Sequence, residues 1–336
     1  LRRAHENAAR PVDHAGFDRA LEEQRTRARK PGGFEPEKVS AGVQAIGGRV
    51  QTTTFVGYDR LEADSVVQAL LKGDHLVKEA VVGDAVEVAL DVTPFYAEGG
   101  GQMGDRGLLT GPDGRIEVTN TTRPIPTLIL HTGIVRAGRV REGDRLQAAV
   151  QRTTRQDAAR NHTATHLVHA ALREHLGPHV KQYGSLVGPN RLRFDFAHFK
   201  PLSARDIDGI EGVVNEQIRC NVPVQMVEMG VQEAVTAGAL AFFGDKYGDR
   251  VRVVSIDTFS KELCGGTHCR QTGDIGLFRV VSETGVAAGV RRIECLTGSG
   301  AYAQIKKLET EIRSLSDVLK VGPADLLSKT QKLLAQ

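Results

Sequence analysis

The chain has 336 residues, 40% hydrophobic and 25% charged, with a formal net charge of +3 at pH 7. That is an ordinary globular composition with length for two or three domains and a substantial core, and it excludes a polycation. No run approaches the roughly 18 uninterrupted apolar residues of a membrane span, and the first thirty residues carry charges throughout; no secretory signal is predicted and the expected compartment is cytoplasmic.

In chain order, the sequence opens at Leu1 without a methionine and reads as an excised piece. Residues 1–30 are rich in Arg, Glu and Ala and predict a helix that Pro31-Gly32-Gly33 stops. This sets 1–37 apart as a helical segment. Over 38–150 short β-prone runs at 50–56, 76–82 and 85–90 alternate with Gly-Asp turns at 73–74, 83–84, 104–105 and 143–144. Such spacing predicts a small antiparallel β-barrel. Between 136 and 160 seven arginines face three acids, a local excess of four positive charges. A phosphate-facing patch and a mixed, solvated surface explain that excess equally well.

From 151 to 300 the order is mixed. A helix is predicted over 153–176, ended by Gly177-Pro178, then a strand over 191–196, a helix over 203–220 and a strand over 222–229. A short helix near 231–241 and strands near 251–258, 275–282 and 290–297 follow. The fold class is therefore α+β: a barrel, then helices packed on one antiparallel sheet, with helical flanks. In the last segment, 301–336, Ile305, Leu308, Ile312, Leu315 and Leu319 recur at steps of three and four, a short coiled-coil seam broken by Gly322-Pro323.

Two short pairs carry the chemistry. His162-Thr163-Ala164-Thr165-His166 lies in the first helix of the 151–300 region, and Cys264-Gly265-Gly266-Thr267-His268 lies between two strands. Each pair is spaced i, i+4, and together they offer three imidazoles and a thiolate, the donor set that zinc prefers. On a helix the first pair projects both rings to one face, about 5–6 Å apart. The second flanks Gly-Gly, whose backbone can fold sharply round an ion. Either pair alone is ordinary; jointly they predict one zinc ion, in a closed structural site or a catalytic one. No glutamate follows His162, which disfavours zincin-type peptide hydrolysis. Thr163 and Thr165 place hydroxyls between the histidines, and Thr165 is a candidate for reading a substrate hydroxyl or amine.

Four cysteines are too few for a disulfide framework in a chain of this size. Cys269, beside His268, reads as a small core residue, and Cys220 and Cys295 as buried apolar groups. His169, His175 and His179 read as surface or core residues. The run Glu98-Gly99-Gly100-Gly101-Gln102 can bring bare backbone close to a phosphate or ribose, and a wide barrel turn explains it as well. It matches neither nucleotide-binding glycine pattern, so ATP or dinucleotide binding is not supported.

Six motifs then appear in order: Thr93-Pro94-Phe95-Tyr96-Ala97-Glu98-Gly99-Gly100-Gly101-Gln102, Asn161-His162-Thr163-Ala164-Thr165-His166-Leu167, Arg191-Leu192-Arg193-Phe194-Asp195-Phe196, Glu262-Leu263-Cys264-Gly265-Gly266-Thr267-His268, Thr272-Gly273-Asp274-Ile275-Gly276 and Gly289-Val290-Arg291-Arg292-Ile293-Glu294. In this order and spacing they resemble the editing region of the bacterial alanyl-tRNA synthetase family, over about 90–300. The flanks agree: 15–29 resembles the end of the family's tRNA-recognition region and 301–336 the start of its C-terminal domain.

The resemblance implies an aminoacyl-tRNA deacylase that hydrolyses the ester joining a wrongly attached serine or glycine to tRNA(Ala). Such a second sieve complements an activation site unable to reject a near-isostere. It implies zinc on His162, His166, Cys264 and His268, Gln182 in the editing pocket, and Thr165 sensing the serine hydroxyl. It also implies Gly99, Gly100, Gly101 and Gln102 near the tRNA terminus, with Thr163 and Arg291 as further substrate contacts. The partners implied are the acceptor end of tRNA(Ala) and the rest of the synthetase chain. ATP and magnesium belong to an aminoacylation domain that these residues do not contain. Cys269 departs from the small aliphatic residue usual at its position. Other readings are a free-standing trans-editing protein, which is not expected to carry the 15–29 helix or the 301–336 seam, and a non-enzymatic tRNA-binding module with structural zinc.

Overall fold

The structure is a computed structural model that describes residues 39–240 and 248–335. The helix expected over 1–37 lies outside the described residues, as does position 241 of the helix expected near 231–241.

The first described element is α1 (Ala41–Gly47), whose Ser40 cap accepts a hydrogen bond from the Val43 N–H. Strands follow: β1 (Thr54–Phe55), β2 (Glu62–Lys72), β3 (His75–Val77), β4 (Glu79–Val81), β5 (Ala85–Leu90), β6 (Val92–Thr93), β7 (Gly107–Thr110), β8 (Gly114–Ile125), β9 (Leu128–Arg141) and β10 (Arg145–Val150). Six of them run β10-β7-β8-β9-β5-β2, and antiparallel pairing of β10 with β2 closes the ring. The expected antiparallel barrel is therefore present.

Strand alternation explains why both faces of this barrel are apolar. On β5, Val86, Val88 and Leu90 point into the barrel core with Leu109, Ile116 and Val135. Ala89 points outward and packs with Ala69, Leu71 and Leu130 beneath Val43 and Ile46 of α1. Gly73, Gly83 and Gly143 turn the chain at positive φ, as their turns require. Gly104-Asp105 is not such a turn: Asp105 is 3% exposed and its side chain enters the interior. The 50–56 run is strand only at β1, and the 76–82 run is split into β3 and β4. Register shifts in the β8–β9 pair break the alternation that would mark those long strands in the sequence.

Next come α2 (Arg152–Leu176), β11 (Gln182–Val187), β12 (Leu192–Ala197), α3 (Ala204–Cys220), β13 (Val224–Gly230), α4 (Val231–Thr236), β14 (Arg250–Ile256), β15 (Ser260–Leu263), β16 (Phe278–Ala287) and β17 (Val290–Thr297). Two antiparallel sheets stand where one was expected: β11-β12-β17-β16 and β13-β14-β15. On α2, Leu167, Val168, Ala171 and Leu172 share a core with Phe194, Phe196, Val214 and Ile293, so α2 and α3 pack against each other and on the four-stranded sheet. The 3-10 turn Thr272–Ile275 leads into β16. Cys220, expected in the core, is exposed. It is the last residue of α3, where Asn221 turns left-handed and the chain leaves the packed face.

Last are α5 (Gly298–Leu319) and α6 (Leu326–Leu334), separated by a 3-10 turn at Pro323–Asp325. The seam residues Leu308, Ile312 and Leu315 are 39%, 45% and 54% exposed, so nothing among the described residues covers that stripe. No helix among the described residues is long and apolar enough to cross a membrane.

Candidate metal centre and its cleft

Helix α2 presents His162, His166 and His169 at i, i+4 and i+7, all on one buried face. The loop after β15 brings Cys264 and His268 against the first two. Ligand atoms of His162, His166, Cys264 and His268 all lie within 4.8 Å of one another. The rings of His162 and His166 stack at 5.6 Å, and His268 sits 4.5 Å and 5.0 Å from them.

The outer hydrogen bonds decide which nitrogen each imidazole offers. His162 Nδ1 is 2.7 Å from Gln102 Oε1, and His166 Nδ1 is 2.5 Å from Glu262 Oε2. Thr163 Oγ1 donates to the Ala159 carbonyl, so it accepts from the Cys269 N–H and from His268 Nδ1 at 3.3 Å. All three rings thus carry their proton on Nδ1 and keep Nε2 for a ligand, the arrangement of metal-bound histidines. Cys264 Sγ lies 3.3 Å from Nε2 of His162 and 3.3 Å from Nε2 of His268. His166 Nε2 is buried with no hydrogen-bond partner within reach. A buried lone pair aimed at a thiolate and two further imidazole nitrogens fits a metal ion, and the donor set is of the zinc type.

Burial alone would lower His166, but Glu262 and Cys264 raise it to about 10, a positive charge that a bound cation would replace. Burial by itself would raise the Cys264 thiol, but His162 and His268 outweigh it and hold the group well below its ordinary range. Burial also works against ionised Glu262, yet His166 and His169 bring that carboxyl down to about 2. His169 Nδ1 is 2.6 Å from Glu262 Oε1, so one carboxylate braces two residues of the ligand helix. Cys269 is pushed up to about 12, first by burial, and remains a thiol. It is therefore a buried neutral group, in agreement with its core reading.

Cys264 opens on a cleft of about 560 Å³ between the barrel and β14–β15. Cys264, Gly265 and Gly266 line one side; Tyr58, Tyr96, Gly99 and Gly100 line the barrel side; Arg123, Arg250 and Arg252 bring positive charge. Tyr58 Oη donates to the Gly265 carbonyl at 2.6 Å. The Arg252 guanidinium covers the Tyr58 ring at 4.0 Å and donates to the Gly266 carbonyl at 2.5 Å. Gly266 must lack a side chain, because a Cβ there would sit 2.0 Å from His162 Cε1.

The other predicted residues are placed as follows. Gly99 and Gly100 reach the cleft, while Gly101 packs on β11, where a Cβ would meet Ser185 Oγ at 2.5 Å. Gln102 is 0% exposed and lies behind His162. Thr163 lies behind His268, and Thr165 Oγ1 donates to the Asn161 carbonyl at 2.8 Å. Gln182 begins β11, half-buried, with Nε2 donating to Ser185 Oγ at 3.2 Å. Arg291 is held by both oxygens of Glu283 at 2.5 and 2.7 Å. Of the arginines at 136–160, Arg136, Arg141, Arg155 and Arg160 form ion pairs, which neutralises most of the apparent patch.

Sequence reasoning missed Glu262, Tyr58, Arg123, Arg250 and Arg252, and left His169 as surface or core. The signal for His169 was its i+3 position from His166. For Glu262 it was the inward parity of a short strand two residues before Cys264. The arginines and Tyr58 left no local signal, because they meet only in the folded chain.

Two family profiles match the chain: tRNA synthetases class II (A) over residues 3–154, and the threonyl and alanyl tRNA synthetase second additional domain over 251–294. Curated relatives include alanine–tRNA ligases of Desulforamulus reducens, 44% identical over 97% of this chain and 37% of the relative, and of Stenotrophomonas maltophilia, 48% over 96% and 36%. That of Thermus thermophilus is 47% identical over 97% of this chain and 38% of its own length. The chain thus spans a little over a third of the length of the curated relatives it matches. Two profiles of synthetase domains, and similarity to alanine–tRNA ligases along nearly all of this chain, agree with the motif order: the chain belongs to the alanyl-tRNA synthetase family.

Proposed function

We propose that this chain is the editing part of an alanyl-tRNA synthetase and hydrolyses the ester of serine or glycine wrongly attached to tRNA(Ala). On this reading 38–150 is a barrel domain and 151–300 the editing domain. Residues 1–37 and 301–336 then adjoin the tRNA-recognition region and the C-terminal domain. The whole protein would attach alanine to tRNA(Ala) with ATP and magnesium in the cytoplasm, through parts that this chain does not contain.

The observation that carries the reading is the Cys264 cluster opening on an arginine- and tyrosine-lined cleft between barrel and sheet. A zinc ion bound to His162, His166, Cys264 and His268 would supply Lewis-acid polarisation. The chain's own residues do the rest. Arg123 and Arg250 hold acceptor-end phosphates through charge-assisted hydrogen bonds. Gly99 and Gly100 leave room for the terminal ribose. Gln182 and Thr165 serve as the catalytic and recognition polar groups, with Thr165's remaining lone pair reading the serine hydroxyl. Gln102 and Thr163 support the site from behind His162 and His268, and Gly101 seats the glycine turn on β11.

A second reading has one observation in its favour: four protein donors would close a tetrahedral shell, as in a structural site within a tRNA-binding module. Zinc content measured beside deacylation of Ser-tRNA(Ala) separates the two. Turnover that falls in Cys264→Ala and Gln182→Ala supports editing; zinc without turnover, or unchanged rates in folded variants, defeats it.

A further inference from the structure

We infer that the β-barrel completes the metal centre, with Gln102 as a positioning residue that sets the coordinating nitrogen of His162 and the shape of the 265–267 loop. This rests on the reading above that the cluster holds a metal ion.

The side-chain amide of Gln102 is oriented unambiguously. One of its atoms faces both the Thr267 N–H at 2.8 Å and His162 Nδ1 at 2.7 Å. A backbone N–H can only donate, so that atom is the oxygen. Nδ1 must then carry the ring proton, and Nε2 is left bare toward Cys264 Sγ. The opposite tautomer would set two lone pairs against each other in a buried site. The amide nitrogen donates in turn to Thr267 Oγ1 at 2.9 Å. One side chain therefore ties the first histidine of the helix pair to the residue preceding the last ligand.

The glycine run is what aims it. Gly99 and Gln102 exchange backbone hydrogen bonds of 3.0 and 3.1 Å across a turn in which Gly100 and Gly101 have φ of 59° and 84°. Val187 N–H donates to the Gly101 carbonyl and Met103 N–H to the Val187 carbonyl, which clamps the turn on β11. Only glycine adopts this backbone freely, and only a residue without Cβ fits over Ser185. The barrel grips the same loop a second time through Tyr58 and the Gly265 carbonyl. Ligands from α2 and from the β15–β16 connection are thus held in register by groups that belong to neither.

The test is zinc affinity of the full chain by chelator competition, with the thiolate absorption of the cobalt(II) form and the ¹⁵N tautomer signature of His162 as second readouts. Wild type should bind one zinc and Cys264→Ser should not; failure there sinks the metal reading itself. Given that binding, Gln102→Leu should lose about 10–100-fold in affinity and mix the His162 tautomers. Gln102→Glu, which keeps an acceptor oxygen, should stay within a few-fold of wild type. Wild-type affinity in Gln102→Leu, or equal losses in both variants, overturns the inference. Should Gln102→Leu fail to fold, Tyr58→Phe carries the test: several-fold weaker binding is expected, and unchanged affinity overturns it.

Discussion

Arg155 of the ligand helix and Asp105 of the barrel form an ion pair that is buried at both ends, with side chains 6% and 4% exposed. Arg155 Nε reaches the two carboxylate oxygens at 3.0 and 2.9 Å, and its terminal nitrogens donate to the Gly57 and Pro94 carbonyls. Asp105 also accepts from the Tyr96 N–H. Every polar atom of the pair is used, so its value lies in how it joins barrel to helix. Arg155→Leu should cost about 3–5 kcal/mol in urea denaturation, because it strands a buried carboxylate. Arg155→Leu with Asp105→Leu should cost less than the two single changes added together. Additive losses would show the pair to be uncoupled.

Gly266→Ala should weaken zinc binding more than tenfold, because its Cβ would meet His162 Cε1 at 2.0 Å and Gln102 Oε1 at 2.9 Å. Gly265→Ala is the control: a Cβ there meets nothing within 4 Å. Equal affinities for the two variants would mean that the loop yields without disturbing the ligand.

Metal removal should lower the melting temperature. An ion bound only by the native state adds about 2.7 kcal/mol at a hundredfold excess over its dissociation constant. Calorimetry with and without a chelator measures the shift, and Cys264→Ser should abolish it. A shift that survives in Cys264→Ser would place the ion elsewhere.

His131 makes stability depend on pH. Its Nδ1 is 2.9 Å from the Val88 carbonyl and its Nε2 2.7 Å from Thr93 Oγ1, inside the barrel wall. Burial pushes the imidazole down to about 4. Unfolded His131, near 6.5, therefore binds protons that the folded chain refuses between about pH 6.5 and 4. Stability should fall as pH drops through that window, by about 3 kcal/mol in all, and level off below it. His131→Gln should flatten this part of a denaturation-against-pH profile; an unchanged slope would assign it to other groups.

The barrel was legible because Gly-Asp turns punctuate β-prone runs, and α2 because its apolar and histidine positions recur at helical spacing. The long β8 and β9 were not, since their register shifts blur the alternation that marks a strand. Nor was the division of the second half into two sheets, because pairing between distant strands leaves no local trace.

The four candidate metal donors were legible from residue chemistry and i, i+4 spacing, since a helix and a glycine loop each impose proximity within a pair. What aims those donors was decided only by the tertiary structure. Gln102 lies 60 residues from His162, and Glu262 lies 96 from His166. Hydrogen bonds of 2.5–2.7 Å form between such partners only where packing sets their backbones to within a fraction of an ångström.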